Sequence, residues 1–391
     1  DGGRFAAAHG LRTAFSCTDG VFRDGEVFDS GDYSGPAGAR TVLRMADAEA
    51  AVLETARGGI LRRGLAVDHA DAAIITNISA DHFGEYGIDD LDGLTAAKAV
   101  VAHALKDHGV LVLNAYDAQL LRHAQGLNHT KAWFALDDAH PQLINARSRG
   151  EATCAVDAGE LVLTLANQRH ALGVITDMPL SLNGLARYNI ANMAGASLLA
   201  AALGISAATI AQVLARFGST GLDNPGRLET WRFGGIRVIM DYAHNPDGLH
   251  GLLDIAQALR GTGRLGLMLG QAGNRGDAQI RELATVAASF SPELIVLKDM
   301  EGYLRGREQN EVASLLRDVL REHGLADSRL PMRSTDLDAA RHALDWARSG
   351  DVLVLPVHAR KAKDEVRQLL ETLASNGWWA GEPIPPEFTQ E

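Results

Sequence analysis

Short apolar runs that contain β-branched residues alternate with longer helical patterns along much of this chain, and this alternation constrains its fold most strongly. In the first half the runs lie at 51–53, 72–76 and 110–113, and an alanine-rich helical pattern over 91–106 separates the last two. Parallel strands need a long crossover connection, and strands buried on both faces are apolar throughout. The alternation therefore predicts an α/β fold built on a parallel sheet.

The pattern changes between residues 151 and 180, where short strand-like pieces replace the longer alternation. One of these pieces, 161–165, is followed by Asn167, and Gly173 interrupts the next piece. Turn-forming residues at such short intervals favour hairpins over crossover helices. We predict a small antiparallel flap on the parallel sheet here.

Glycine residues predict where several helices end. Residues 1–10 have the pattern of a helix end that Gly10 stops. An apolar helix is predicted over 189–203, with Gly204 at its end, and a second helix is predicted over 207–217. The helix end over residues 1–10 predicts that the sequence begins in the middle of a fold.

Residues 218–226 form the strongest predicted domain boundary, because glycine, aspartate, asparagine and proline cluster there. A length of 391 residues by itself favours two or three domains. Beyond the boundary the α/β alternation resumes, with predicted strands at 238–240, 265–269, 294–297 and 352–355. We therefore predict a central domain over 1–221 and a doubly wound, Rossmann-like domain over 222–391.

Charge and cysteine content exclude several classes of protein. The chain has 37 Lys and Arg against 49 Asp and Glu, a formal charge of −12, so it has no sequence-wide positive field for nucleic acid. Cys17 and Cys154 lie far apart without metal-ligand spacing, which predicts neither a disulfide framework nor a zinc site. No apolar run reaches about 18 residues, and no signal-peptide pattern is present. We predict a cytoplasmic protein that binds neither nucleic acid nor membrane.

A carboxylate follows the strand predicted at 51–53. Glu54 would stand at the carboxyl end of a parallel strand, where α/β folds bind ligands, and is a candidate Mg²⁺ ligand. The alternative is a helix-capping glutamate. The following run, 55–64, contains a double glycine and three arginines; glycines permit close backbone approach, and arginines suit carboxylate or phosphate.

Further polar residues follow the next predicted strand. Asp81 and His82 would lie at the same edge of the sheet as Glu54, although a lone histidine there is more often structural than a ligand. Lys98 interrupts the helical pattern over 91–106, and such a lysine is usually a solvated or snorkelling side chain. Only the combination of the four residues indicates a functional site.

That combination resembles the central domain of the Mur ligase family. The resemblance implies an ATP-binding central domain with a small antiparallel flap, followed by the Rossmann-like domain. It also implies that Glu54 and His82 bind Mg²⁺ and that Lys98 is carbamylated, and it places all three among the catalytic residues. Carbamylation turns an ammonium into an anionic oxygen ligand, which accounts for a lysine beside metal-binding groups.

A pair of asparagines extends the resemblance. In the family, paired asparagines begin an alanine-rich helix, and the second contacts the adenine of ATP. The segment 188–192 matches this pattern, which assigns adenine to Asn192. A helix N-cap at Asn189 is compatible with the same pattern.

Two motifs near the predicted boundary carry the most specific part of the resemblance. The segment 224–229 resembles the family's Gly-Arg-x-Glu, in which Arg227 would reach the nucleotide. The segment 241–246, Asp-Tyr-Ala-His-Asn-Pro, resembles a family motif at the first strand end of the C-terminal domain. Asp241 would bind the ATP ribose, and His244 is assigned to the same nucleotide site. A six-residue strand-end motif so close to a second motif is more specific than a lone glycine loop.

The finer resemblance is to the cyanophycin synthetase branch, through the segments 31–36, 54–64 and 304–308. It implies that arginine is joined to the aspartate side chain of a polyaspartate, through an acyl phosphate formed from ATP. The arginine-rich segments would suit an acidic peptide or polymer, which assigns Arg57, Arg62 and Arg305 to substrate. A solvated surface is the alternative for three of the arginines: Arg62, Arg63 and Arg307.

The phosphate loop of such an ATPase is not found within these 391 residues. In the family it precedes the helix that would end near Gly10, so we expect it just upstream of Asp1, unless it has been lost. Muropeptide or folylpolyglutamate ligation and a catalytically silent nucleotide- or partner-binding module stay open as alternatives. An NAD-type Rossmann protein is disfavoured because Gly-x-Gly-x-x-Gly does not follow a first strand. The sequence is also compatible with a homo-oligomer.

Overall fold

The chain divides into two units in the computed structural model, Asp1–Ser219 and Thr220–Glu391. The described residues are 2–79, 86–220, 223–224, 226–300 and 302–385. Within those ranges no helix combines the length and the apolar character that a membrane span requires.

Unit 1, Asp1–Ser219, combines helices with two sheets. Its helices are α1 (Gly2–Ala8), α2 (Pro36–Leu43), α3 (Arg57–Arg63), α4 (Leu91–Ala99), α5 (Ala118–His123), α6 (Pro141–Ser148), α7 (Arg187–Ala202) and α8 (Ala207–Leu214). Its strands are β1 (Thr13–Cys17), β2 (Gly20–Arg23), β3 (Glu26–Ser30), β4 (Ala50–Leu53), β5 (Ala70–Ile75), β6 (Leu105–Asn114), β7 (Thr130–Phe134), β8 (Ala152–Asp157), β9 (Glu160–Leu165) and β10 (Gln168–Val174).

The larger sheet of unit 1 has the strand order β10-β9-β8-β7-β6-β5. Strands β5 to β8 are parallel, whereas β8, β9 and β10 are antiparallel. The predicted parallel α/β sheet is confirmed, and the antiparallel strands predicted between residues 151 and 180 extend it beyond β8. Helix α7 packs against this sheet at Gly195, where an added Cβ would lie 2.8 Å from Ile74 and 3.0 Å from Phe134.

The smaller sheet of unit 1 has the order β3-β2-β1-β4 and was not predicted. Strand β1 pairs with β2 in an antiparallel hairpin and with β4 in parallel, and every residue of the edge strand β3 is exposed. Strands β4 and β5 therefore belong to different sheets. The prediction that Glu54 and the residues after β5 lie at the edge of one sheet is therefore wrong.

The helix predicted over 91–106 is wrong at its C-terminal end. Helix α4 ends at Ala99, a short 3₁₀ segment covers Val100–Ala104, and β6 begins at Leu105, opposite Ala70. Sheet pairing thus overrides a composition that favours a helix. The helix ends predicted from glycine are closer to the observed ones. Gly10 and Gly204 each follow the end of a helix, with φ of +91° and +79°.

Unit 2, Thr220–Glu391, contains one mixed sheet of order β11-β12-β16-β13-β14-β15. Its strands are β11 (Glu229–Phe233), β12 (Ile236–Asp241), β13 (Leu265–Leu269), β14 (Leu294–Lys298), β15 (Met332–Arg333) and β16 (Val352–Pro356). Its helices are α9 (Pro246–Arg260), α10 (Asp277–Ser289), α11 (Glu311–Glu322), α12 (Asp336–Trp346) and α13 (Arg360–Ser375). All pairs are parallel except β11 with β12, and the four predicted strands are confirmed.

Two features of unit 2 place its candidate site. Helices α12 and α13 share one apolar core with the sheet, while α9 packs on β16 and β13 and against α10. Strand β16 stands between β12 and β13, although it follows both in the chain. A reversal of strand order of this kind opens a crevice at the carboxyl ends of the strands, which is where doubly wound folds bind ligands.

Candidate functional site

In unit 1, Glu54 lies exposed at the carboxyl end of β4, where two groups of Thr18 fix its carboxylate. The Thr18 hydroxyl donates to Oε1 at 2.9 Å, and the Thr18 N–H donates to Oε2 at 3.2 Å. The next helix, α3, has Ala56 as its N-cap without a side-chain bond, so the helix-capping alternative for Glu54 is wrong. The carboxylate faces the end of β1 because β1 and β4 are neighbouring parallel strands.

Gly59, the second residue of the double glycine after Glu54, serves packing. An added Cβ on Gly59 would lie 3.0 Å from Pro36 and 3.2 Å from Gly35, and the Ala56 N–H donates to the Ser34 carbonyl at 2.7 Å. The two segments singled out in the sequence, 31–36 and 54–64, are therefore in contact. The close approach that Gly59 allows is to Gly35 and Pro36 of the same chain.

The arginines of α3 differ in their surroundings. Arg57, the first residue of the helix, is half-buried, whereas Arg62 and Arg63 are exposed. Arg62 donates to the Gly58 carbonyl at 2.9 Å, and its guanidinium carbon lies 5.9 Å from the centre of the Tyr86 ring. The substrate roles predicted for Arg57 and Arg62 stay predictions.

Lys98 is half-buried on α4, and its ammonium donates to the Asn77 carbonyl at 3.1 Å. This bond ties α4 to the segment that follows β5. Asp81 and His82 lie outside the described residues. Within the described ranges no three His, Cys, Asp or Glu side chains form a group that could hold a metal ion.

The two asparagines of α7 have different environments. Helix α7 begins at Arg187 with Ala186 as its N-cap, so the N-cap alternative for Asn189 is wrong. Asn189 is buried, and its amide donates to the Leu180 carbonyl at 3.0 Å. Asn192 lies one turn further along and is exposed. The first asparagine is thus structural, and the adenine contact predicted for Asn192 stays a prediction.

In unit 2, Asp241 joins the two motifs of the predicted nucleotide site. Its Oδ2 accepts the Leu228 N–H at 2.7 Å, and its Oδ1 accepts the Ala243 N–H at 2.8 Å. Burial raises the pKa of Asp241, while these hydrogen bonds and the charge of Arg227 oppose the rise. The carboxylate therefore anchors the Gly-Arg-x-Glu turn to the end of β12.

The glycine and the glutamate of that turn are structural. Glu229 accepts the Gly226 N–H and pairs with Arg367 of α13 at 3.0 and 2.7 Å. Gly226 has φ +71°, and an added Cβ would lie 2.6 Å from Lys363. Arg227 alone of the motif's charged residues is exposed, with its guanidinium carbon 4.6 Å from the centre of the Tyr242 ring. This cation–π contact holds the arginine beside the strand end.

Tyr242 is surrounded by two histidines and a lysine. The rings of His244 and His358 each lie 5.3 Å from its ring, and the Lys363 ammonium lies 5.4 Å away. The Nε2 of His358 lies 3.0 Å from the Ala243 carbonyl. His358 and Lys363 were not predicted from the sequence as site residues. His358 lies two residues after β16, so the argument from strand ends that identified Glu54 and Asp241 applies to it as well.

His358 predicts a pH dependence of unit 2 stability. Burial and the charge of Lys298 hold the pKa of His358 well below its usual value. Below pH about 6.5 the unfolded chain therefore takes up a proton that the folded state does not. We expect the free energy of unfolding of unit 2 to fall by up to about 1.4 kcal/mol per pH unit below that point. Urea unfolding of His358→Gln should lose this slope, and the exposed His323→Gln should keep it.

The loops after β13 and β14 are joined by Arg307. Its guanidinium donates to the Gly273 and Arg275 carbonyls, both at 2.9 Å, and pairs with Asp277 at 2.6 Å and Glu311 at 2.9 Å. The solvated-surface alternative for Arg307 is therefore wrong.

Arg305 lies in the same loop and is exposed. Its φ is +51°, and its guanidinium carbon lies 5.2 Å from the centre of the Tyr303 ring. Arg305 belongs to the loop after β14. The side chain of Arg307 holds this loop against the loop after β13. Its substrate role stays a prediction.

Two family models match this chain. The Mur ligase middle domain matches residues 34–200, and the model described as Mur ligase, glutamate ligase domain matches residues 226–356. The chain belongs to the Mur ligase family, and the predicted Mur-type α/β fold is confirmed.

Curated relatives refine the family assignment. The chain is 31% identical over 360 residues to cyanophycin synthetase from Synechocystis sp., an alignment that covers 92% of this chain and 40% of that protein. It is 26% identical over 338 residues to the UDP-N-acetylmuramoyl-L-alanyl-D-glutamate--2,6-diaminopimelate ligase of Chlorobaculum tepidum, covering 85% of this chain and 60% of that enzyme. The chain thus spans about two fifths of the length of the cyanophycin synthetase.

Solved structures agree at the level of the fold. A bifunctional folylpolyglutamate synthase/dihydrofolate synthase, crystallised with Mn, AMPPNP and L-glutamate, superposes with a TM-score of 0.64 at 17% identity. The match covers 96% of this chain and 85% of that one. At this identity the likeness shows a shared fold alone.

Proposed function

We propose that this chain is the metal- and nucleotide-binding part of an ATP-dependent ligase that joins a carboxylate to an amine. The observation that carries the proposal is the anchoring of the Gly-Arg-x-Glu turn by Asp241, which leaves Arg227 exposed beside the end of β12. Such a strand end is where doubly wound folds bind nucleotides. The relatives that match most of the chain are named as ligases and synthetases, which supports the same function.

Glu54, His82 and Lys98 are the proposed Mg²⁺ ligands. The exposed Glu54 carboxylate and the Asn77 carbonyl beside Lys98 are hard oxygen donors of the kind Mg²⁺ takes. An ammonium cannot bind a cation, but a carbamate on the Lys98 Nζ would add an anionic oxygen. The ion would offset negative charge on the phosphoryl group in transfer. A neighbour in fold crystallised with Mn supports a divalent cation.

The proposed ATP contacts are the four residues that the family resemblance assigns to nucleotide. Asn192 would contact the adenine, Asp241 the ribose, and Arg227 and His244 the remaining nucleotide. Each oxygen of Asp241 accepts one backbone N–H and has further lone-pair capacity, which suits a ribose hydroxyl donor. The exposed guanidinium of Arg227 suits a phosphate oxygen.

The proposed reaction has two steps. The substrate carboxylate attacks the γ-phosphorus of ATP, the bond to ADP breaks, and an acyl phosphate forms. The amine then attacks the acyl carbon, loses a proton, and the tetrahedral intermediate expels phosphate and leaves an amide. The residues of this chain would bind and orient the reactants, since positioning and charge stabilisation supply most of the catalysis in phosphoryl transfer.

Arginine is the proposed amine, and the aspartate side chain of a polyaspartate is the proposed carboxylate. Alignment with a cyanophycin synthetase over 92% of this chain supports this choice over a muropeptide or folylpolyglutamate substrate. Arg57, Arg62 and Arg305 would bind the acidic substrate. Asp241 and Asp277 are both candidates for holding the cation of the amine, and Asp277 pairs with Arg307. A catalytically silent nucleotide- or partner-binding module is the alternative.

The test is the substrate dependence of ADP release by the full-length product of the gene. We expect ADP only when ATP, a divalent cation, arginine and an aspartate polymer are all present, with one amide formed per ADP. Lysine in place of arginine, and D-glutamate in place of the polymer, are the matched controls. Nucleotide binding without ADP release under every combination would favour the silent module.

A further inference from the structure

Thr18 and Glu54 are brought together by strand pairing, although they are 36 positions apart in the sequence. The last paired residues of β1 and β4 are Ser16 and Leu53, and the Glu54 N–H donates to the Ser16 carbonyl at 3.0 Å. The main chain of Glu54 thus continues along the end of β1, where Thr18 follows. The side chain of Glu54 therefore reaches Thr18, and the pairing of β1 with β4 sets the position of Thr18.

Thr18 is itself held by the hairpin between β1 and β2. Cys17 pairs with Gly20 across the turn, so Thr18 lies at the turn of the hairpin. Gly20 fits closely against β3, because an added Cβ there would lie 2.5 Å from the Asp29 carbonyl oxygen. The turn is therefore fixed on both sides, and the hydroxyl and amide of Thr18 are placed before any ligand arrives.

The two hydrogen bonds occupy different oxygens of the carboxylate. The hydroxyl binds Oε1 and the amide binds Oε2, which fixes the plane of the group as well as its position. A carboxylate has about four acceptor sites, so each oxygen of Glu54 has capacity left for a cation. An exposed glutamate without such bonds would populate several rotamers and lose that freedom on binding an ion. Ligating carboxylates are commonly hydrogen-bonded in this way, and loss of the partner costs metal affinity.

We propose that Thr18 is a positioning residue that orients the Glu54 carboxylate for a divalent cation. The inference rests on the proposed role of Glu54 as a metal ligand. It assigns a function to a hairpin that no sequence motif marked, and it gives the smaller sheet of unit 1 a part in building the cation site. Thr18 does not touch the ion; it acts through the carboxylate.

The test is the affinity of the full chain for Mn²⁺, measured by electron paramagnetic resonance of the free ion. Thr18→Val removes the hydroxyl at constant shape, and we expect it to weaken Mn²⁺ binding about tenfold or more. Thr18→Ser restores the hydroxyl and should bind as the parent does. Thr55→Val is the matched control, because the Thr55 hydroxyl donates to the Leu53 carbonyl beside the same carboxylate.

Two outcomes would overturn the inference. If Thr18→Val binds Mn²⁺ as tightly as the parent or more tightly, while Glu54→Gln binds it weakly, Thr18 does not orient the ligand, and the metal role of Glu54 stands. If Glu54→Gln also binds Mn²⁺ as the parent does, the metal assignment fails, and the role of Thr18 fails with it. Hydrogen exchange of the β1 and β2 amides establishes that the variants are folded, and Thr18→Ala provides a second variant if Thr18→Val is not.

Discussion

Replacing Asp336 with alanine should lower the free energy of unfolding of unit 2 by about 3–5 kcal/mol, the size expected when one partner of a buried ion pair is removed. Lys298, the last residue of β14, is fully buried, and its ammonium pairs with Asp336 at the first position of α12. The substitution would leave a fully buried ammonium without its counter-charge. Hydrogen exchange of the β14 and β16 amides in urea measures the effect within unit 2.

Two controls separate the charge from the packing in this prediction. Asp345→Ala removes an exposed carboxylate from the same helix and should change the free energy of unfolding by less than about 0.5 kcal/mol. The double variant Lys298→Met/Asp336→Leu replaces both charges with apolar groups and should recover most of the loss. A double variant as unstable as Asp336→Ala would mean that shape, and not the unpaired charge, sets the cost.

Replacing Lys98 with alanine in the full-length product should reduce amide formation by about 100-fold or more, a loss of the size seen when a charge-stabilising group is removed from a transition state. The reason is the proposed carbamate on Lys98, which would supply an anionic oxygen to the cation. Added formate or acetate should restore part of the activity, because a small carboxylate can occupy the vacated space. Amide formation is followed with radiolabelled arginine.

Lys98→Arg distinguishes the carbamate from a simple positive charge. An arginine keeps the charge and can still donate to the Asn77 carbonyl, but it forms no carbamate. We expect Lys98→Arg to be as inactive as Lys98→Ala. Activity near that of the parent in Lys98→Arg would show that the group acts as a cation.

The sequence predicted best those elements that are buried on both faces. Strand β13 was predicted with its observed bounds, 265–269, because every residue of it is apolar and buried. The hairpin of β2 and β3 was missed because its strands are short and β3 is exposed throughout, so neither gives an apolar run. Helix α4 was predicted too long because the alanines that follow it suit a helix in composition, and only pairing of β6 with β5 ends the helix.

The sequence alone identified those candidate site residues that directly follow an apolar strand. Glu54 and Asp241 each follow an apolar run, and a carboxylate in that position is informative by itself. Their partners are set by strand pairing: the β1–β4 register places Thr18 at Glu54, and the β11–β12 register places the Leu228 amide at Asp241. A pairing of strands leaves no local signal in the sequence, so these contacts emerge only from the structure.

The most direct measurement of the central claim is the transfer of oxygen from the substrate carboxylate to phosphate. The full-length product is incubated with ATP, arginine and an aspartate polymer labelled with ¹⁸O in its side-chain carboxylates, and the released phosphate is analysed by mass spectrometry. An acyl phosphate predicts one ¹⁸O atom in each phosphate released and one amide for each labelled phosphate. Unlabelled phosphate accompanying amide formation would contradict a ligase that acts through an acyl phosphate.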